Sequence, residues 1–101
     1  MNLIEQNLQR ILELCRRYRV KTLSVFGSIL TERFNENSDV DLLVEFETPD
    51  HDKFDYVSNY FHFRDSLENL FNKKVDLIEE KGLRNKYFIA NVNRTKRMIY
   101  G

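Results

Sequence analysis
The sequence predicts an α/β fold in which three or four short strands alternate with amphipathic helices, and three features of the chain carry that prediction. Ile4, Leu8, Ile11, Leu12 and Cys15 recur at helical spacing near the start. Leu23-Ser24-Val25-Phe26 and Val40-Asp41-Leu42-Leu43-Val44 are β-type runs separated by a Gly27-Ser28 turn and a polar loop. A third such run, Val75-Asp76-Leu77-Ile78, follows a long helical pattern, so the two periods take turns along the chain. At 101 residues the chain is expected to form one domain over residues 1–101, with room for a single core but not for a separate substrate-recognition unit.

Asn2 to Arg19 reads as the first helix, with Glu5, Arg10, Arg16 and Arg17 on the surface that the apolar stripe leaves over. Cys15 lies on the apolar side and reads as a buried small hydrophobe rather than a reactive thiol. Thr22 to Phe26 is a strand that turns at Gly27, where the missing Cβ admits backbone angles and close approaches that other residues block. Ser28 is placed to cap a short helical turn over Ile29 to Arg33, and N–H groups at a helix start attract anions. Phe34 to Ser38 is a polar loop, and Asp39 to Phe46 is the second strand, with Val40, Leu42 and Val44 on one face. Pro49 and the acids around it close that strand.

Phe54 to Phe71 is the next amphipathic helix, its core stripe made of Tyr56, Tyr60, Phe63, Leu67 and either Leu70 or Phe71. Lys73 to Ile78 is a strand with Val75 and Leu77 inward and Asp76 on the other face. After Gly82, Leu83 to Asn93 reads as a helix with Leu83, Tyr87 and Ala90 inward. Met98 to Tyr100 suits a terminal strand or a docked end. Arg94, Lys96 and Arg97 read as a solvated tail, since they lack the interleaved aromatics of a nucleic-acid surface, and direct nucleic-acid binding is not expected.

The net charge is zero, yet nine acids face two bases between Glu32 and Asp55, and eight bases face three acids between Lys73 and Arg97. Such segregation suits an acidic metal site beside a basic surface that steers phosphate or an acidic partner. A single cysteine excludes an internal disulfide and a cysteine-rich zinc site, and His51 and His62 have no ligand-spaced neighbour. No leader opens the chain and no apolar run is long enough to cross a bilayer, so a soluble, cytoplasmic protein is expected.

The chemistry centres on Asp39 and Asp41. Residues two apart on a strand share a face, which brings these carboxylates to roughly 6–7 Å at their Cα atoms. Like charges that close repel, and a divalent cation is their natural neutraliser. If its strand is a neighbour, Asp76 joins the same face. Three such aspartates suit two Mg²⁺ ions, with nucleotide phosphates and water as the other ligands, and two ions clamp both oxygens of an in-line displacement at phosphorus. Gly27 and Ser28 would grip the outer phosphates and stabilise a pyrophosphate leaving group.

Phe26-Gly27-Ser28, ten further residues, Asp39-Val40-Asp41-Leu42-Leu43-Val44 and a later Val75-Asp76-Leu77-Ile78 together resemble the minimal nucleotidyltransferase (MNT) family of the polymerase-β-like superfamily. The resemblance covers essentially the whole chain. It implies the nucleotidyltransferase fold, a mixed sheet of three to four strands with flanking helices. It also implies ATP as substrate, Mg²⁺ as cofactor, Asp39, Asp41 and Asp76 as catalytic and metal residues, and Gly27 and Ser28 as nucleotide-binding residues. Small members of this family resemble antitoxins that pair with a helical HEPN ribonuclease toxin and transfer AMP to a tyrosine hydroxyl on it. Ile29-Leu30-Thr31-Glu32 stands where the family commonly carries a pattern such as Arg-Ala-Arg-Gly, which leaves Arg33 as the nearest base. The presence of all three aspartates makes enzymatic AMP transfer the leading expectation, and the missing bases after Ser28 favour the alternative, an antitoxin that acts only by occluding its partner.

Overall fold
The computed structural model describes residues 2–47 and 55–101, and the expectations for Pro49, His51 and Phe54 fall outside the described residues. The first helical stretch is two pieces, α1 (Asn2–Gln6) and α2 (Leu8–Arg17), where the periodicity predicts one. Asn7 makes the break. Its side-chain amide donates to the Leu3 carbonyl at 2.8 Å and its backbone N–H to the Ile4 carbonyl at 3.2 Å, a local bonding that competes with a continuing helix. Leu8, expected in the apolar stripe, consequently lies exposed, while Ile4, Ile11 and Cys15 are buried.

Four strands form one mixed sheet: β1 (Val20–Phe26), β2 (Val40–Phe46), β3 (Val75–Glu79) and β4 (Arg97–Tyr100), in the order β3-β2-β1-β4. Strand β1 runs antiparallel to both β2 and β4, whereas β2 and β3 are parallel. Parallel neighbours need a crossover, and helix α3 (Tyr56–Phe71) lies between them in the chain. Asp55 caps its start by accepting the Ser58 N–H, and Asn72, at φ 54°, ends it in the left-handed conformation that asparagine tolerates.

Strand alternation sorts the core into two unequal layers. On one face Leu23, Val25, Val40, Leu42, Val44, Phe46, Val75 and Leu77 pack with Ile11 and Cys15 of α2 and with Phe63, Leu67 and Phe71 of α3. Burying each large side chain of this layer contributes about 1.5–3 kcal/mol. The other face is covered sparsely, by Phe26, Leu43 and Val92 with Ile78 and Leu83 against them. The acids expected to react, Asp41 and Asp76, belong to this second face.

Helix α4 (Lys86–Thr95) covers the second face in a phase that differs from the one the sequence predicts. Asn85 caps it by accepting the Tyr87 and Phe88 N–H groups, each at 3.0 Å, so the helix starts three residues later than expected. Leu83 packs from the loop before it. Tyr87 is 89% exposed and Ala90 is exposed too, while Val92 is buried, which corrects the expected inward set. Arg94 and Arg97 are exposed, as expected of solvated bases, but the segment is not a free tail: Arg97 pairs with Val25 in the sheet, and Lys96 Nζ lies 3.5 Å from Glu80 Oε1. Among the described residues no helix is long and apolar enough to cross a membrane.

Candidate active site
Strand β1 ends in a turn that only glycine can make there. Gly27 has φ 79°, and a Cβ on it would fall on Asp41 Oδ2 and 3.2 Å from Asp41 Cγ. The backbone of the turn therefore lies directly against the carboxylate of the neighbouring strand. Gly27–Leu30 forms one 3₁₀ turn, shorter than the Ile29–Arg33 helix expected, and the Ser28 side chain does not cap it. The turn is tied instead through the Ser28 carbonyl, which accepts the Thr31 N–H at 2.9 Å and the Thr31 hydroxyl at 2.8 Å. Ile29 is buried in the main core and Leu30 packs against it, so the apolar residues after Ser28 anchor the turn.

The parallel ladder fixes the carboxylates. Asp41 on β2 stands in register with Asp76 on β3, and Phe26 is its partner on β1. Side chains at paired positions share a face, so Asp41 and Asp76 sit side by side. Asp39 immediately precedes β2, whose first N–H, that of Val40, donates to the Lys74 carbonyl at 3.0 Å. Burial above all, and then the negative charges of Asp76 and Asp39, push the Asp41 carboxyl above the ordinary carboxylate value. Asp41 thus feels the charge of both other aspartates.

Their oxygens are the hard donors that Mg²⁺ prefers, and the Gly27 gap lets one of them tuck against the turn. Among the described residues no three His, Cys, Asp or Glu side chains converge on one point. The donor set therefore fits such an ion in chemistry and adjacency without being drawn together in advance.

Lys73, expected on a partner-steering basic surface, is engaged elsewhere. Its Nζ donates to the carbonyls of Asn35 and Glu36 at 2.9 Å and of Ser38 at 3.2 Å, and it lies 4.9 Å from the centre of the Phe34 ring. One ammonium thereby staples the loop that delivers Asp39. The sequence carries no signal for this, because three backbone carbonyls leave no mark in composition. His62 is exposed, as expected of a solvated histidine.

The sequence profile of the nucleotidyltransferase domain family matches residues 8–99. The chain belongs to that family. A Methanocaldococcus jannaschii relative, provisionally named a protein adenylyltransferase, is 44% identical over 72 residues, covering 70% of this chain and 77% of that protein. The protein adenylyltransferase MntA of Thermococcus cleftensis is 38% identical over 72 residues, covering 71% and 68% of the two chains. Among solved structures, a minimal nucleotidyltransferase superposes with a TM-score of 0.74 at 29% identity, over 93% of this chain and 90% of the other. A toxin–antitoxin crystal structure with AMP-PNP superposes at 0.70 with 21% identity, over 94% and 73%. A chain of the complex of a tri-AMPylated Shewanella oneidensis HEPN toxin with MNT antitoxin superposes at 0.64 with 18% identity, over 96% and 71%. The last two are likenesses of fold. The mixed four-stranded sheet with flanking helices is the nucleotidyltransferase architecture, and the chain is a nucleotidyltransferase.

Proposed function
We propose that this nucleotidyltransferase transfers AMP from ATP to a tyrosine hydroxyl of a folded, helical HEPN-type partner and so acts as its antitoxin in the cytoplasm. The observation that carries the reading is the in-register pair Asp41 and Asp76 beside the Gly27 turn. The names of its relatives, protein adenylyltransferases, support AMP as the transferred group. The complexes that share its fold support a HEPN partner.

In the reaction the acceptor oxygen forms a bond to the α-phosphorus of ATP, the bond from that phosphorus to the β-bridging oxygen breaks, and pyrophosphate leaves. Asp39, Asp41 and Asp76 would hold Mg²⁺, which supplies positive charge against the triphosphate and Lewis acidity at the reacting phosphoryl group. Asp76, completing the metal site, would lower the cost of deprotonating the acceptor hydroxyl. Gly27 and Ser28 bring backbone N–H groups and a hydroxyl to the outer phosphates, holding the charge that develops on the leaving group. Recognition of the acceptor falls to the surface of the docked partner.

ATP labelled at the α-phosphate or at the γ-phosphate tests the reading when incubated with Mg²⁺ and the protein encoded beside this chain. Label on the partner from α-labelled ATP alone is the expected result. Transfer of γ-label would replace AMP transfer by phosphoryl transfer. A second reading, occlusion without transfer, draws on the absence of a basic side chain in Ile29-Leu30-Thr31-Glu32. A stable complex that takes up no label would favour it.

A further inference from the structure
A cleft of about 520 Å³ opens between the Gly27 turn and helix α4, on the side away from Asp76. Phe26, Leu30, Phe88 and Val92 give it apolar walls, and Asn91 and Arg97 bring polar groups to it. Gly27 belongs to both the cleft wall and the carboxylate site, so whatever the turn holds at one side is continuous with this space. The size and the lining, apolar with few polar groups, are those of a small-molecule subsite rather than of a packing defect.

We propose that this cleft takes the nucleoside of the bound nucleotide, with Phe88 as the face on which the base lies. The inference rests on the nucleotide reading given above and extends it to the residues that distinguish a nucleotide from bare triphosphate. Phe88 meets Phe26 edge to face, with ring centres 6.0 Å apart and planes at 85°, so the buried Phe26 holds it in place. It nevertheless remains 37% exposed, which leaves aromatic surface for a base. Asn91 accepts from Arg94 through Oδ1 at 3.0 Å, an arrangement that turns its amide nitrogen into the remaining donor. Arg97, opposite Val25 on β4, closes the cleft at its β4 end. Helix α4 is in this account the base-binding wall of the site as well as a cover for the sheet.

Calorimetry with Mg²⁺ and two probes, AMP-PNP and inorganic tripolyphosphate, tests the proposal. The wild type is expected to bind AMP-PNP at least about tenfold more tightly than tripolyphosphate, the scale of one base stacked on an aromatic ring. Phe88→Ala is expected to erase that advantage while tripolyphosphate binds as before. Asn91→Trp, at an exposed helix position and less demanding of the fold, is expected to do the same by filling the cleft. Equal binding of both probes to the wild type would overturn the nucleoside cleft and leave the triphosphate site standing. Equal weakening of both probes in both variants, or no change in either, would overturn it as well. Failure of the wild type to bind either probe would remove the nucleotide reading together with this inference.

Discussion

Gly27 and Asp41 occupy one another's space: the carboxylate Oδ2 lies where a Cβ of residue 27 would be, and the glycine backbone sits at φ 79° to allow it. Two strands are thereby joined at the point where phosphate and metal would meet. Gly27→Ala is expected to destabilise the protein by about 1–3 kcal/mol, through left-handed strain and displacement of the carboxylate. It should also abolish transfer. Thermal unfolding and a transfer assay on the same sample check both, and a Gly27→Ala variant of undiminished activity would refute the contact's importance.

Asp41→Asn should leave the fold intact and remove transfer. Asp41 carries the proton affinity of a carboxylate that is partly buried and set beside Asp76 and Asp39, so losing its charge relieves repulsion in the metal-free protein. The melting temperature at neutral pH without divalent metal is therefore expected to stay level or rise. A clear fall would mean that the carboxylate is held by favourable contacts that the structure does not contain.

Lys73→Met tests the staple beneath Asp39. Losing a charge-assisted donor to three carbonyls is expected to cost about 1–3 kcal/mol and to slow transfer by loosening the residue 34–38 loop. Amide exchange should rise in that loop and not in α3. Uniform exchange across the chain would show a merely global effect.

Asn85→Ala removes the side-chain acceptor for the Tyr87 and Phe88 N–H groups and should cost about 1 kcal/mol. Its effect is expected in the helix that walls the cleft, measured as loss of helical signal and lower stability in urea. Asn85→Asp, which keeps an acceptor, should restore most of it.

Cys15 carries the pH dependence that is cleanest to isolate. Burial pushes its thiol from 9.0 up to about 12, with Arg16 pulling weakly the other way. The unfolded thiol ionises first as pH rises above 9, so the unfolded state gains and stability falls between about pH 9 and 12. Wild type should lose stability over that window more steeply than Cys15→Ala. Equal slopes would place the thiol in contact with solvent.

The parts of the fold written in strict alternation are legible in the sequence. Val40, Leu42 and Val44 on one face and Asp41 on the other follow from period two alone, as do Val75, Leu77 and Asp76. Their mutual register does not, because it is set by which strand lies next to which. The phase of helix α4 comes out wrong when it is counted from Leu83, which lies before the helix, because the Asn85 cap sets the true start. Asn7 is hidden for a similar reason: one side-chain amide interrupts a stripe that otherwise keeps helical time. The cleft beside Gly27 leaves no trace in the sequence, since Phe88, Asn91 and Arg97 meet the turn only after the sheet has brought β4 alongside β1.

Whether the Asp41–Asp76 pair directs AMP to a protein hydroxyl can be read from the intact mass of the neighbour-encoded partner after incubation with this chain, ATP and Mg²⁺. A partner heavier by one or more adenylyl units, mapped to tyrosine, is expected with wild type and an unmodified partner with Asp41→Asn. An unmodified partner in a stable complex with wild type, under every divalent metal tried, would contradict this role of the pair.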